Sequence, residues 1–173
     1  VPSKILIYHA DRIVDIQEAG KLGIETEVKW INFPAIMDQM KATIEESRTW
    51  MKNEVESSEG MDFYNEEAQF VGDYTLKVGK QTIKGQKIFI VSGARPLIPP
   101  IKGLDKISYL TNENVLNLRE KPESIIIIGG GYVGVEYAHF FAALGTKVQL
   151  VFAFHPVHVG RGSAHVADDA APA

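Results

Sequence analysis

Three glycines in the string IIIIGGGYVGVE, at Gly129, Gly131 and Gly134, carry the clearest chemical signal in the sequence. In a G-x-G-x-x-G spacing each has a separate task. Gly129 lets the chain turn sharply off a strand, Gly131 lets the backbone approach a pyrophosphate, and Gly134 lets the next helix sit against the sheet. Ala138, one turn later, keeps that helix face small. The helix N-terminus then offers free N–H groups and a partial positive charge to phosphates. The chemistry implied is the holding of a dinucleotide rather than the making of bonds. A glycine turn with no ligand is the plain alternative. Against it stand a strand of four isoleucines before the loop, a helix over Tyr132–Leu144, a stop at Gly145 and a second strand over Lys147–Val151. One expected piece is missing: the ribose-binding carboxylate should fall about 20 residues after the first glycine, and Phe152 stands there. Arg161 lies too far beyond it to serve a 2′-phosphate.

Other reactive side chains are sparse. With no cysteine there is no disulfide framework, no thiolate metal site and no cysteine nucleophile. His9 and His139 fall on helical stretches, where packing or surface roles suffice. His155, His158 and His165 lie in a stretch without a metal-ligand pattern, so no metal site is assigned. No residue of the chain is assigned a catalytic role. Lys4 reads as a solvated helix residue, Arg95 as a surface residue before a proline-fixed turn or a ligand contact. Glu136 reads as a first-turn carboxylate favoured by the helix dipole.

The elements that must position these residues follow from periodicity. Ile5, Tyr8, His9, Ile13 and Ile16 recur at helical spacing after Pro2-Ser3, and Gly20 supplies a stop. A long helix is expected from Asn32-Phe33-Pro34, with Asn32 as cap and Ile36, Met40, Ile44, Ser47 and Met51 along one face. From Gly60 to Gly93, short β-rich runs separated by Gly-Asp, Gly-Lys and Lys-Gly turns suggest an antiparallel meander, with KIFIV (87–91) as a buried strand. ARPLIPPIKG is a proline-rich connector and the best candidate for a domain boundary. Residues 152–173 have neither period and are expected to be irregular, either poorly ordered or foreign to the domain.

Composition sets outer limits. The 173 residues carry a net charge of -4, which leaves no basic surface for nucleic acid or an anionic membrane. No apolar run approaches the ~20 residues of a membrane span. Nothing at Val1-Pro2-Ser3-Lys4 resembles a signal peptide, so a soluble, cytoplasmic protein is expected.

Three stretches taken together resemble the FAD-dependent pyridine nucleotide–disulfide oxidoreductases. VPSK at 1–4 is similar to the segment after the second redox cysteine in that family. IFIVSGARPLIPPIKG is similar to its strand and connector, and IIIIGGGYVGVE to its NAD loop, including the glutamate two residues after the third glycine. Within the family the likeness is greatest to dihydrolipoamide dehydrogenase, with mercuric reductase and soluble transhydrogenase as rivals. A non-catalytic dinucleotide-binding module is the rival from another class.

The resemblance implies an α/β, Rossmann-like fold in which residues 1–96 are part of an FAD-binding domain and 97–151 begin an NAD-binding domain. It implies a homodimeric parent enzyme with FAD and NAD as cofactors and small molecules as its partners. It further implies that the chain is an internal segment, with the flavin's glycine loop and redox cysteines upstream and the acid/base histidine downstream. By the same resemblance Lys4 lies beside the flavin and pairs with Glu136. Gly93 and Arg95 pass close to the FAD, and Gly129, Gly131 and Gly134 cradle the NAD pyrophosphate.

Overall fold

The computed structural model of the protein describes residues 2–151. Val1, Phe152 and the irregular stretch expected at 152–173 lie outside the described residues. The first helix, α1, spans Pro2–Glu18, continues as a 3₁₀ turn over Ala19–Leu22 and stops at Gly23. The stop is therefore Gly23 and not Gly20, because Gly23 adopts the left-handed φ of 78° that closes the helix end at no Cβ cost. The buried stripe also differs from the expected one. Ser3, Leu6 and Ala10 face the core, with Ile5, Ile13 and Val14 half-covered, while Tyr8 and Ile16 are exposed.

The second helix, α2, spans Phe33–Ser57. The Asn32 side chain accepts the Ala35 N–H, and Pro34 sits in the first turn where its missing N–H costs nothing. Burial is confined to its first half, at Phe33, Met37 and Met40. Of the expected face, Ile36 and Ile44 are partly covered and Ser47 and Met51 are exposed. Nothing among the described residues packs over the helix's second half strongly enough to bury that face.

A three-stranded antiparallel meander follows: β1 (Ala68–Gly72), β2 (Thr75–Val78) and β3 (Gln81–Lys84). Tight turns at Asp73-Tyr74 and Gly79-Lys80 join the strands, with Gly79 at a φ of 55°. The meander ends there. KIFIV forms no strand, and Phe89, Ile90 and Val91 are 84%, 74% and 90% exposed. A strand needs a hydrogen-bonded neighbour, and these residues find none among the described ones.

The last unit is strand β4 (Ser124–Ile128), helix α3 (Tyr132–Ala143) and strand β5 (Lys147–Val151), with β4 and β5 parallel. This is the expected βαβ arrangement, with Gly145 (φ 84°) ending α3. The isoleucine strand is only half covered. Ile125 and Ile127 pack toward the core, whereas Ile126 and Ile128 are exposed, because α3 covers one face of a two-stranded sheet.

One core serves all the helices. Leu6 and Ala10 of α1, Phe33, Met37 and Met40 of α2, Val115, and Tyr137, Phe140, Phe141, Ala143 and Leu144 at α3 form a single buried cluster. Phe140 stacks edge-on to Phe141 with centroids 5.1 Å apart and lies 6.3 Å from Phe33. Removing such a ring costs about 3–5 kcal/mol. Arg119 reaches Asp38 with both guanidinium nitrogens and ties the segment before β4 to α2. No described helix is long and apolar enough to cross a membrane.

Because the core joins residues before and after the irregular stretch 85–101, a cut there should leave the two parts together. Limited trypsin digestion is expected to cleave early at exposed Lys87, with the fragments co-eluting on gel filtration. Separation of the fragments under native conditions would contradict a shared core.

Candidate dinucleotide site

The glycine loop leaves β4 through Gly129, whose φ of 119° is open only to glycine, and whose N–H donates to the Val151 carbonyl at 2.8 Å. Gly131 caps α3 with φ −70° and ψ 171°, an extended conformation any residue can take. Gly134 is different again. A Cβ built there would lie 2.1 Å from the Gly129 carbonyl oxygen, so the first turn of α3 can press onto the loop only without a side chain. For Gly131 no described heavy atom lies within 4 Å of such a Cβ. The chain itself thus requires glycine at 129 and 134 but leaves open space at 131.

Two turns of helix meet beside this loop. Lys4 of α1 donates to Glu136 of α3, forming the pair the sequence resemblance implied. The ammonium is 66% exposed and the carboxylate 11%. The second Glu136 oxygen, Oε2, is buried without a hydrogen-bond donor. The Lys4 hydrogen bond holds the Glu136 carboxyl below the usual glutamate range against the opposing pull of burial. Tyr137, next along, donates to the Asn112 carbonyl at 3.3 Å. Burial, with the Glu136 charge adding to it, pushes its phenol up to about 12.

A groove of about 800 Å³ runs from Gly129 and Gly131 over the exposed face of β4, walled by Leu97, Pro99 and Tyr137. The proline-rich connector thus lines the same groove as the glycine loop. Gly93 (φ 76°) and Arg95 do not line the groove and sit exposed in the irregular stretch before it. The structure pairs Lys4 with Glu136, sets the three loop glycines along the groove, and leaves Gly93 and Arg95 apart from it. Sequence reasoning missed Tyr137 and Asn112, whose hydrogen bond ties the segment after the connector to α3. It also assigned only packing or surface roles to His139, whose Nε2 lies 2.8 Å from Asp11 Oδ1. Their signal was tertiary: nothing in local spacing pairs residues 25 or 128 positions apart. Among the described residues no cluster of His, Cys, Asp and Glu could hold a metal ion.

A parallel βαβ unit with this loop at the head of its helix defines a dinucleotide-binding fold. A family model described as pyridine nucleotide-disulphide oxidoreductase matches residues 1–164, and the chain belongs to that family. The mercuric reductase of Streptomyces lividans is 32% identical over 156 residues, covering 87% of this chain and 33% of that protein. The mycothione reductase of Mycobacterium tuberculosis is 27% identical, with 87% of this chain and 34% of that one covered. The soluble pyridine nucleotide transhydrogenase of Marinobacter nauticus is 28% identical, with 87% and 33% covered. Among solved structures, the HOCl-induced flavoprotein disulfide reductase RclA of Escherichia coli aligns with a TM-score of 0.65 at 28% identity, over 86% of this chain and 31% of that one. The chain spans about a third of the length of these relatives. Its fold is accordingly α/β and Rossmann-like.

Two outcomes follow from the geometry. Gly134→Ala should destabilise the fold by about 1–3 kcal/mol through forced displacement of the Gly129 carbonyl, whereas Gly131→Ala should cost no more than about 1 kcal/mol, the difference between glycine and alanine caps. Urea unfolding of both variants checks the order, and equal losses would refute it. The lowered Glu136 value stabilises the folded state fully above the ordinary value of 4.5 and is lost as pH falls through the folded-state value. Glu136→Gln should therefore flatten the acid side of the stability profile, measured by urea midpoints against pH. A profile parallel to that of the wild type would show that the pair adds no pH dependence.

Proposed function

We propose that the chain forms the pyridine-nucleotide-receiving part of a flavoprotein disulfide oxidoreductase. The open space at Gly131, beside two glycines the chain needs for its own geometry, is the observation that carries this reading. The Gly129–Gly134 backbone and the α3 N-terminus would hold the pyrophosphate.

An FAD bound alongside would supply the redox centre that takes hydride equivalents from NADH. Lys4 would set a cation at its reactive edge, which favours the reduced, anionic flavin. Gly93 and Arg95 are proposed as flanking FAD contacts, the glycine through its bare backbone. Residues 1–96 would belong to the flavin side and 97–151 to the nucleotide side of a homodimeric enzyme. The proposal is for the class that moves electrons between NAD(H), FAD and a dithiol or disulfide. Its dihydrolipoamide dehydrogenase-like form rests on the sequence resemblance.

Calorimetric titration with NADH tests the reading. The chain should bind weakly, and Gly131→Ala should reduce affinity by about tenfold or more, equivalent to ~1.4 kcal/mol. Phe152→Glu, supplying the missing ribose acceptor, should raise it by about one to two orders of magnitude, as a hydrogen bond to a charged group of ~1.5–3 kcal/mol allows. Binding unaffected by Gly131→Ala in folded protein would overturn the assignment of the loop. Lipoamide-dependent NADH oxidation by this cysteine-free sequence should stay at background.

A further inference from the structure

Three side-chain contacts join α1 to α3: Lys4 to Glu136, Asp11 to His139, and Gln17 to the Ala143 carbonyl. Residue numbers rise together on both helices, so the helices run in the same sense. Their spacing is unequal. Lys4 and Asp11 are two turns apart, about 10.5 Å of rise, while Glu136 and His139 are separated by about 4.5 Å. The two pairs therefore fix both the slide and the crossing of one helix on the other, which a single contact does not.

Apolar packing holds the two helices together, and the polar pairs add directional contacts to it. Leu6 and Ala10 are fully buried at the junction, and Ala10 is too small to key into a particular hole. The Lys4 ammonium is mostly exposed on a flexible stem, so it follows Glu136 rather than guiding it. The Asp11–His139 pair has short side chains, a separation of 2.8 Å and half-exposed groups on both sides. Nε2–H donates to Oδ1, a hydrogen bond with a charged acceptor and hence directional.

We propose that Asp11 and His139 are a positioning pair that sets the register of α1 against α3 and so delivers Lys4 to Glu136. The role of the Lys4–Glu136 pair at a flavin rests on the function proposed above; the register role does not. His139 does not line the groove. Its action is through the helix, one turn from Glu136.

Carbon-detected NMR titration of the Glu136 carboxyl in the full chain reads the effect directly. His139→Ala and Asp11→Ala should each raise the Glu136 midpoint by about half a unit or more toward the ordinary value, as weakened contact with Lys4 requires. His139→Gln, whose amide N–H falls near the place of Nε2–H, should restore it. Arg119→Ala, which cuts the α2 bridge instead, should leave it unmoved. Near-ultraviolet circular dichroism establishes that each variant is folded, and two independent alanine variants guard against one failing to fold. An unmoved midpoint in folded alanine variants overturns the proposal, as does a glutamine variant that behaves like alanine, or an equal shift in Arg119→Ala. NADH titration of the same samples reads the dinucleotide assignment separately. Loss of the Glu136 response with NADH binding intact overturns the positioning pair alone. A retained response without NADH binding overturns the dinucleotide reading alone.

Discussion

Everything in this structure depends on α1 lying against α3. The first helix carries no glycine loop, and the third follows one. Yet the residues between them, Leu6 and Ala10 on one side and Phe140 and Phe141 on the other, are among the most deeply buried of the described residues. Burial on that scale, at about 25 cal/mol per Å² of apolar surface, is the main force holding parts of the chain more than a hundred residues apart. α2 then covers the remaining side through Phe33, Met37 and Met40. The meander β1–β3 stands outside this arrangement, with Val78 its one buried residue.

That packing brings the polar groups near the loop within reach of one another. Lys4 and Glu136 come from opposite ends of the described chain and meet because their helices do. The Lys4 hydrogen bond outweighs the desolvation of Glu136 and keeps its carboxyl low, while Oε2 has no protein donor. Tyr137 shows the same economy differently. Its ring is buried in the core, and its hydroxyl still reaches a backbone carbonyl, so a polar atom adds a connection rather than a penalty.

Local sequence made the βαβ unit legible almost residue by residue. Its strands, its glycine loop and the stop at Gly145 each rest on short-range chemistry, and β5 falls where the pattern placed it. The Asn32 cap and the proline beside it were equally readable. What periodicity could not show was which stripe of α1 would be covered, since Ile5, Leu6, Tyr8 and Ile13 satisfy more than one helical face. KIFIV misled for a related reason. Strand propensity states a preference for a neighbour and cannot create one, so an apolar run with no pairing partner stays open. Of the site, the glycines and the Lys4–Glu136 pair were visible, the pair only through resemblance. Contacts such as Asp11–His139 and Tyr137–Asn112 depend on tertiary folding and left no mark on spacing.

The three loop glycines also differ in what they would record over evolutionary time. A side chain at 134 collides with the Gly129 carbonyl, and a side chain at 129 is barred by its backbone angle. At 131 the folded chain raises no objection. A descendant that ceased to handle nucleotides would be free to vary at Gly131 while folding still held the other two in place. The middle glycine is therefore the position whose drift would report loss of ligand, and the outer two would persist as marks of the fold.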